Sequence, residues 1–176
     1  MNIKNLMILM FQLICLPVIA NNSQDEVEKL YQNYWKKCSN TSLMQSDPKK
    51  VREYCNKAIE VDPNNSDISS PYLLKSIITI MLTDELNTNK NKTILKNTYR
   101  DLTKVIEKTN SIGQKSQASS YRLFTDLMHK NRYKKYLGNN LCTDLERGLN
   151  HKAGRDLTQI LIVSNKNLIK ECPQNY

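Results

Sequence analysis

Glycine is scarce in this chain, with 4 glycines among 176 residues, and histidine is scarcer still, with 2. The sequence contains no glycine-rich phosphate-binding loop, no His-Glu-x-x-His motif and no Gly-x-Ser-x-Gly motif. It also has no Cys-x-x-Cys pair, which disfavours a structural zinc site. We expect His129 and His151 to be surface residues at helix ends rather than general bases. These absences predict no catalytic residues, no metal site and no cofactor, and therefore a protein that is not an enzyme.

Long hydrophobic runs are missing after the first twenty residues, so no membrane span is expected in the rest of the chain. At the N-terminus, a short basic start precedes an apolar run over residues 6–16, and Val18 and Ala20 match the cleavage pattern of signal peptidase. The apolar run is shorter than the roughly 20 residues that a spanning helix needs. We therefore expect a signal peptide over residues 1–20, cleaved near Ala20. A single domain over residues 21–176 would then be secreted or periplasmic.

Positive charge is in excess, with 26 lysines and arginines against 17 acidic residues and a formal net charge of +9. The basic residues are spread over many segments, which is typical of a solvated surface. An anionic partner, whether an acidic protein, a wall polymer or a membrane face, is the alternative interpretation. Export disfavours nucleic acid as the ligand.

Apolar residues recur at spacings of three and four through most of the chain, which predicts an all-α fold of about six to seven helices. The clearest helix follows a Ser46 or Asp47 cap and has Pro48 at its first position, where proline costs no hydrogen bond. Asp62 and Pro63 end it. Its apolar face consists of Val51, Tyr54, Cys55, Ala58 and Ile59.

Cysteine usage agrees with export, because four cysteines remain once the signal peptide is removed, and an even number predicts disulfides with three possible pairings. Cys38 and Cys55 lie on the apolar stripes of two helices that are joined by a turn near residues 43–46. Counting from that turn separates them by about 6 Å along the hairpin, which a tilt can close. We predict Cys38–Cys55, and Cys142–Cys172 follows by elimination.

The segment from about residue 30 to residue 65 resembles a tetratricopeptide repeat, a unit of about 34 residues made of two helices. Trp35 falls at the large aromatic of the first helix, Ala58 at the small residue of the second, and Pro63 at the closing proline. The segment departs from the repeat pattern at Cys38-Ser39 and at Ser42. The resemblance implies stacked antiparallel helix hairpins whose concave side takes a protein or peptide. Repeat geometry implies partner contacts by Tyr34, Lys37, Tyr72, Lys75, Arg122 and Asp126.

We therefore expect an exported, non-enzymatic helical-repeat protein that binds a protein or peptide partner, possibly an acidic one. One alternative is a periplasmic immunity or inhibitor protein that neutralises a toxin or hydrolase. Another is a pilotin-like secretion chaperone. Pilotins are usually lipidated, and Leu13-Ile14 before Cys15 do not form a lipoprotein box.

N-terminal sequencing of the protein from its producing cells is expected to begin at Asn21. The reason is that the basic start, the apolar run and the Val18-x-Ala20 site occur together. A cytosolic protein that still begins at Met1 would contradict the assignment of a signal peptide.

Overall fold

The computed structural model describes residues 23–63, 65, 69–83 and 89–173. The expected signal peptide, residues 1–20, lies outside these ranges. Within them every regular element is a helix and there is no strand, so the predicted all-α class is confirmed. None of the helices in the described part of the chain is both long enough and apolar enough to cross a membrane.

Nine helices occur in the described ranges, two more than the upper end of the sequence expectation. One addition is α2, which forms inside the expected connection because the side chain of Asn40 accepts the N–H of Leu43 at 2.8 Å. The other is α9, which is separated from α8 at Asn165. The helices are α1 (23–38), α2 (Thr41–Ser46), α3 (Pro48–Val61), α4 (Ser69–Leu82), α5 (Asn89–Lys108), α6 (Ile112–Tyr133), α7 (Leu141–Leu149), α8 (Lys152–Ser164) and α9 (Asn167–Glu171).

Helix α3 begins as its sequence predicts, because the side chain of Asp47 accepts the N–H of Lys50 at 3.0 Å and Pro48 takes the first position. The apolar spacing of the sequence predicts a helix over about residues 118–136, and α6 differs from that prediction at both ends. It begins six residues earlier, since Ser111 caps it, and it ends at residue 133 rather than near 136. The residue that ends it is Lys134, whose φ of 58° is left-handed.

The two disulfides have the pairing that the sequence predicts. Cys38 at the end of α1 is joined to Cys55 of α3, with their Cα atoms 4.9 Å apart. Cys142 of α7 is joined to Cys172 after α9, with a Cα separation of 5.3 Å. The first pair is completely buried, and Trp35 packs, half-buried, against the cluster that contains it. The disulfides thus fasten each end of the helical domain to its neighbouring helix.

Each helix from α3 to α7 packs against the next one along the chain. Helix α6 also contacts α4 and α8, so four helices border it. Side chains from α4, α5 and α6 form the largest buried apolar cluster, and a second cluster joins α6 to α7, α8 and α9. α6 is therefore the element around which the described helices are arranged.

Small residues make the contact of α6 with α7 and α8 a close one. The hydroxyl of Ser116 donates to the carbonyl of Gly148, and that of Ser120 donates to the carbonyl of Gly154 at 2.9 Å. Ser120 also lies 2.8 Å from the hydroxyl of Thr158. A Cβ atom on Gly154 would lie 2.6 Å from the backbone oxygen of Ser116, which is well inside contact distance. The glycine is needed here because the two backbones approach closely.

Replacing Gly154 by alanine is expected to lower the free energy of unfolding by about 1–3 kcal/mol, because the new methyl group overlaps backbone on α6. The intrinsic helical preference of alanine, about 1 kcal/mol over glycine, opposes this loss. Chemical denaturation of the oxidised chain measures the effect.

The matched control is Gly113→Ala, where the atom nearest to the new methyl group would be a ring carbon of His151, a side chain rather than backbone, at 3.2 Å. We expect its unfolding midpoint to stay at or above that of the parent chain. Equal midpoints for Gly154→Ala and Gly113→Ala would show that α6 and α8 do not approach as closely as described.

Candidate partner-binding surface

Two tyrosines and two lysines from α1 and α3 form one group, which we term the α1–α3 cluster: Tyr34, Lys37, Tyr54 and Lys57. The two rings are stacked, with centroids 6.5 Å apart and planes inclined by 26°. The ammonium group of Lys57 lies 5.6 Å from the Tyr34 centroid and 6.0 Å from that of Tyr54. Lys37 lies 5.4 Å from the Tyr54 centroid. Both rings are half-buried and both lysines are exposed.

The local sequence explains why these side chains meet. On each helix the tyrosine and the lysine are three residues apart, so they share a helix face. The Cys38–Cys55 disulfide directly follows Lys37 and Tyr54 in the two helices and holds the helices together at that point. Tyr34 and Lys37 were expected to contact a partner, whereas Tyr54 and Lys57 were not, although the same Tyr-x-x-Lys spacing occurs in both helices.

The α1–α3 cluster combines properties that favour protein recognition. Tyrosine rings supply flat apolar area with a polar tip and are enriched in protein interfaces. The lysines add positive charge beside the rings, where each cation–π contact contributes about 0.5–1 kcal/mol at an exposed site. The cluster can therefore contact an apolar group and a carboxylate of the same partner.

Tyr72 and Lys75, also named from the sequence, lie together between α4 and α5 but are largely engaged within the protein. Tyr72 is buried, and the ammonium groups of Lys75 and Lys104 lie 5.6 Å and 5.0 Å from its centroid. Lys75 forms an ion pair with Asp101 at 2.8 Å. A quarter of the Lys75 side chain is still exposed to solvent.

The sequence predicts that Arg122 lies on a binding surface. In the structure it lies in the interior, with 4% of its surface exposed. Its Nε and Nη2 atoms donate to the two carboxylate oxygens of Asp144, each at 2.7 Å, and Nη1 donates to Thr103 at 3.0 Å. The guanidinium also lies 5.4 Å from the ring centroid of Tyr99. Burial is the largest single effect and would lower the pKa of Arg122, but the hydrogen bonds and charge of Asp144, together with nearby Tyr99 and Glu107, raise that pKa overall.

Asp126 is likewise an interior residue, with 2% exposed, rather than a partner contact. Its carboxylate accepts the backbone N–H groups of Leu137 and Gly138, in the loop after α6. Burial raises the pKa of Asp126, and these N–H groups act in the opposite direction. Arg122 and Asp126 are buried because α4, α5, α7 and α8 all border α6.

The two histidines lie in different environments. His129, expected at the surface, is 2% exposed, and its Nδ1 atom lies 2.6 Å from the backbone oxygen of Lys135. His151 is half-buried at the start of α8, where Nδ1 accepts the N–H of Ala153 at 3.1 Å. Its role there is a helix cap. Among the described residues, no three histidine, cysteine or acidic side chains are close enough together to hold a metal ion.

Comparisons with protein-family models, with curated proteins and with solved structures find no match to this chain. The function must therefore be inferred from the residues themselves. Of the six partner residues expected from the sequence, the structure brings Tyr34 and Lys37 together on an exposed surface and places Arg122 and Asp126 inside.

Replacing Arg122 by methionine is expected to lower the free energy of unfolding by about 3–5 kcal/mol, because it leaves the buried Asp144 carboxylate unpaired. The double variant Arg122→Met/Asp144→Leu should recover most of that loss, since neither side chain of the pair then leaves an unpaired charge buried. Denaturant titration of the parent chain, the two single variants and the double variant gives the coupling energy.

Lys37→Met provides the control, because it removes an exposed cation beside a ring and should cost about 1 kcal/mol or less. A single variant Arg122→Met that unfolds at the parent midpoint would contradict the buried ion pair.

Proposed function

We propose that this chain is an exported helical-repeat protein that binds a protein or peptide partner and does not catalyse a reaction. The α1–α3 cluster is the proposed contact surface. The observation that carries the proposal is the stacked Tyr34–Tyr54 pair with two exposed lysines beside it. Both rings are only half-buried and both lysines are exposed, so binding to an acidic, partly apolar surface would use both the rings and the charges.

The helix contacts support the repeat architecture in this proposal. From α3 to α8, helices that are consecutive in the chain contact each other. In addition, α6 contacts α4 and α8, which are two positions away from it in the chain. Contacts between alternate helices are what stacked helix hairpins produce, because the first helix of each hairpin meets the first helix of the next. The tetratricopeptide-like segment over residues 30–65 would then supply the first hairpin, with α1 and α3 as its helices.

The cysteines support the exported location. Two disulfides persist only in an oxidising compartment, and both pairs lie at bonding distance in the described residues. The N-terminal sequence over residues 1–20 supplies the independent argument for export.

Capture with the immobilised mature chain tests the proposed surface. A periplasmic or medium fraction of the producing cells is passed over the parent chain and over Lys37→Glu/Lys57→Glu, and the bound proteins are identified by mass spectrometry. The partner should bind the charge-reversed variant at least roughly tenfold more weakly, since two favourable charges become repulsive.

The control Lys152→Glu/Lys166→Glu makes the same change of charge at exposed positions on α8 and before α9, and it should retain the partner. If both variants lost the partner to the same extent, the effect would be one of net charge alone. That result would contradict a specific binding surface at the α1–α3 cluster. Turnover of a wall fragment or peptide by the purified chain would contradict a purely binding role. A captured toxin or hydrolase that loses activity would assign the chain to inhibitors, and a captured secretion subunit would assign it to pilotin-like chaperones.

A further inference from the structure

A pocket of about 290 Å³ lies between the first half of α5 and the end of α6 with its following loop. We term it the α5–α6 pocket. It shares no residue with the α1–α3 cluster. Its lining residues are Lys92, Lys96, His129, Tyr133, Lys135, Tyr136 and Leu137. Three of them are lysines, and none of the described residues that line it is acidic.

A buried histidine in this lining has one ring nitrogen unused. Nδ1 of His129 lies 2.6 Å from the carbonyl oxygen of Lys135, and since a carbonyl only accepts, Nδ1 carries a hydrogen and donates it. Nε2 is buried and has no hydrogen-bond partner among the described protein atoms. A buried polar atom without a partner costs about 1–3 kcal/mol, so such atoms are few and call for an explanation. A ligand that enters from the pocket and displaces the atoms covering Nε2 would supply that partner.

The lysines of the pocket are arranged at a cost to the helix. Lys92 and Lys96 are four residues apart on α5, and like charges at this spacing destabilise a helix by a few tenths of a kcal/mol. Both are exposed, as is Lys135, and none of the three forms a salt bridge within the described residues. Lys92 is held at the pocket by the ring of Tyr133, with its ammonium 5.5 Å from the centroid. A bound anion would offset the repulsion among these charges.

The one carboxylate on α6 does not neutralise these lysine charges. Asp126 precedes His129 by three residues, but its carboxylate accepts the backbone N–H groups of Leu137 and Gly138. It is therefore fixed to the loop and is not among the residues that line the pocket.

We propose that the α5–α6 pocket binds a phosphate group, either as free phosphate or as the terminal group of a phosphate monoester. Three lysine charges match a dianion better than the single charge of a carboxylate. The phosphate oxygens can accept hydrogen bonds from the lysine ammonium groups. Free hydrogen phosphate also has a P–OH hydrogen that it can donate to Nε2 of His129, since Nδ1 carries the ring hydrogen, whereas a monoester dianion has no such hydrogen and would bind through the lysines alone. The volume is near the lower end of small-ligand sites, which suits a small anion.

Titration of the oxidised mature chain tests the proposal, with binding followed by isothermal calorimetry and by the NMR signals of the His129 ring. The probes are inorganic phosphate, ribose 5-phosphate and acetate, compared at one fixed ionic strength because exposed charges are screened by salt. Phosphate should give saturable binding and move the His129 signals. The variant Lys92→Gln/Lys96→Gln should bind at least roughly tenfold more weakly.

The control Lys152→Gln/Lys166→Gln loses the same charge at exposed positions outside the pocket and should bind like the parent chain. Tighter binding of ribose 5-phosphate than of phosphate would support the proposal and identify an ester as the ligand. Absence of saturable binding with both phosphate probes would overturn it, as would equal affinity of the two lysine variants. Tighter binding of acetate than of phosphate would also overturn it, in favour of a carboxylate ligand. All four substituted lysines are exposed, so both variants should fold like the parent chain.

Discussion

Helix α6 has neighbours on most of its circumference, and this constrains every polar side chain that it carries between residues 116 and 129. A polar group that is removed from water must be paired inside the protein or it destabilises the fold. On α6 that requirement is met by contacts with other parts of the chain. Ser116 and Ser120 donate to carbonyls at α7 and α8, Arg122 binds Asp144 of α7, and Asp126 binds the loop after α6. The arrangement of α7, α8 and the loop therefore depends on the polar residues of one helix.

Many polar side chains of the interior are bonded to other parts of the chain, so the residues that remain available for binding lie mainly on the exposed surface. On α6, Ser116, Ser120, Arg122 and Asp126 are paired within the protein and Nε2 of His129 is not, whereas the α1–α3 cluster displays its lysines to solvent. The disulfide between α1 and α3 fixes the two helices that carry this cluster. A surface whose helices are already fixed loses less conformational freedom on binding, which favours affinity. We therefore propose partner recognition at α1 and α3, apart from the proposed phosphate site at the junction of α5 and α6.

The presence of the helices and the pairing of the cysteines could be predicted because both depend on the spacing of residues that are close in the sequence. The cap at Asp47, Pro48 beside it and the Cys38–Cys55 pair all follow from residue counts along one hairpin. The burial of Arg122 could not be predicted in this way, since its partner Asp144 is 22 residues away on another helix. Gly138 shows the same limit: it looks like a helix stop in sequence, but its lack of a Cβ instead gives room for the ring of Tyr99, and Lys134 ends α6.

Hydrogen–deuterium exchange of the mature chain, alone and with its captured partner, tests most directly whether a fixed interior presents a separate binding surface. The account predicts slow exchange across the middle of α6 in the free chain, and added protection on binding in peptides from α1 and α3. Added protection confined to α6 or α8, with α1 and α3 unchanged, would contradict it.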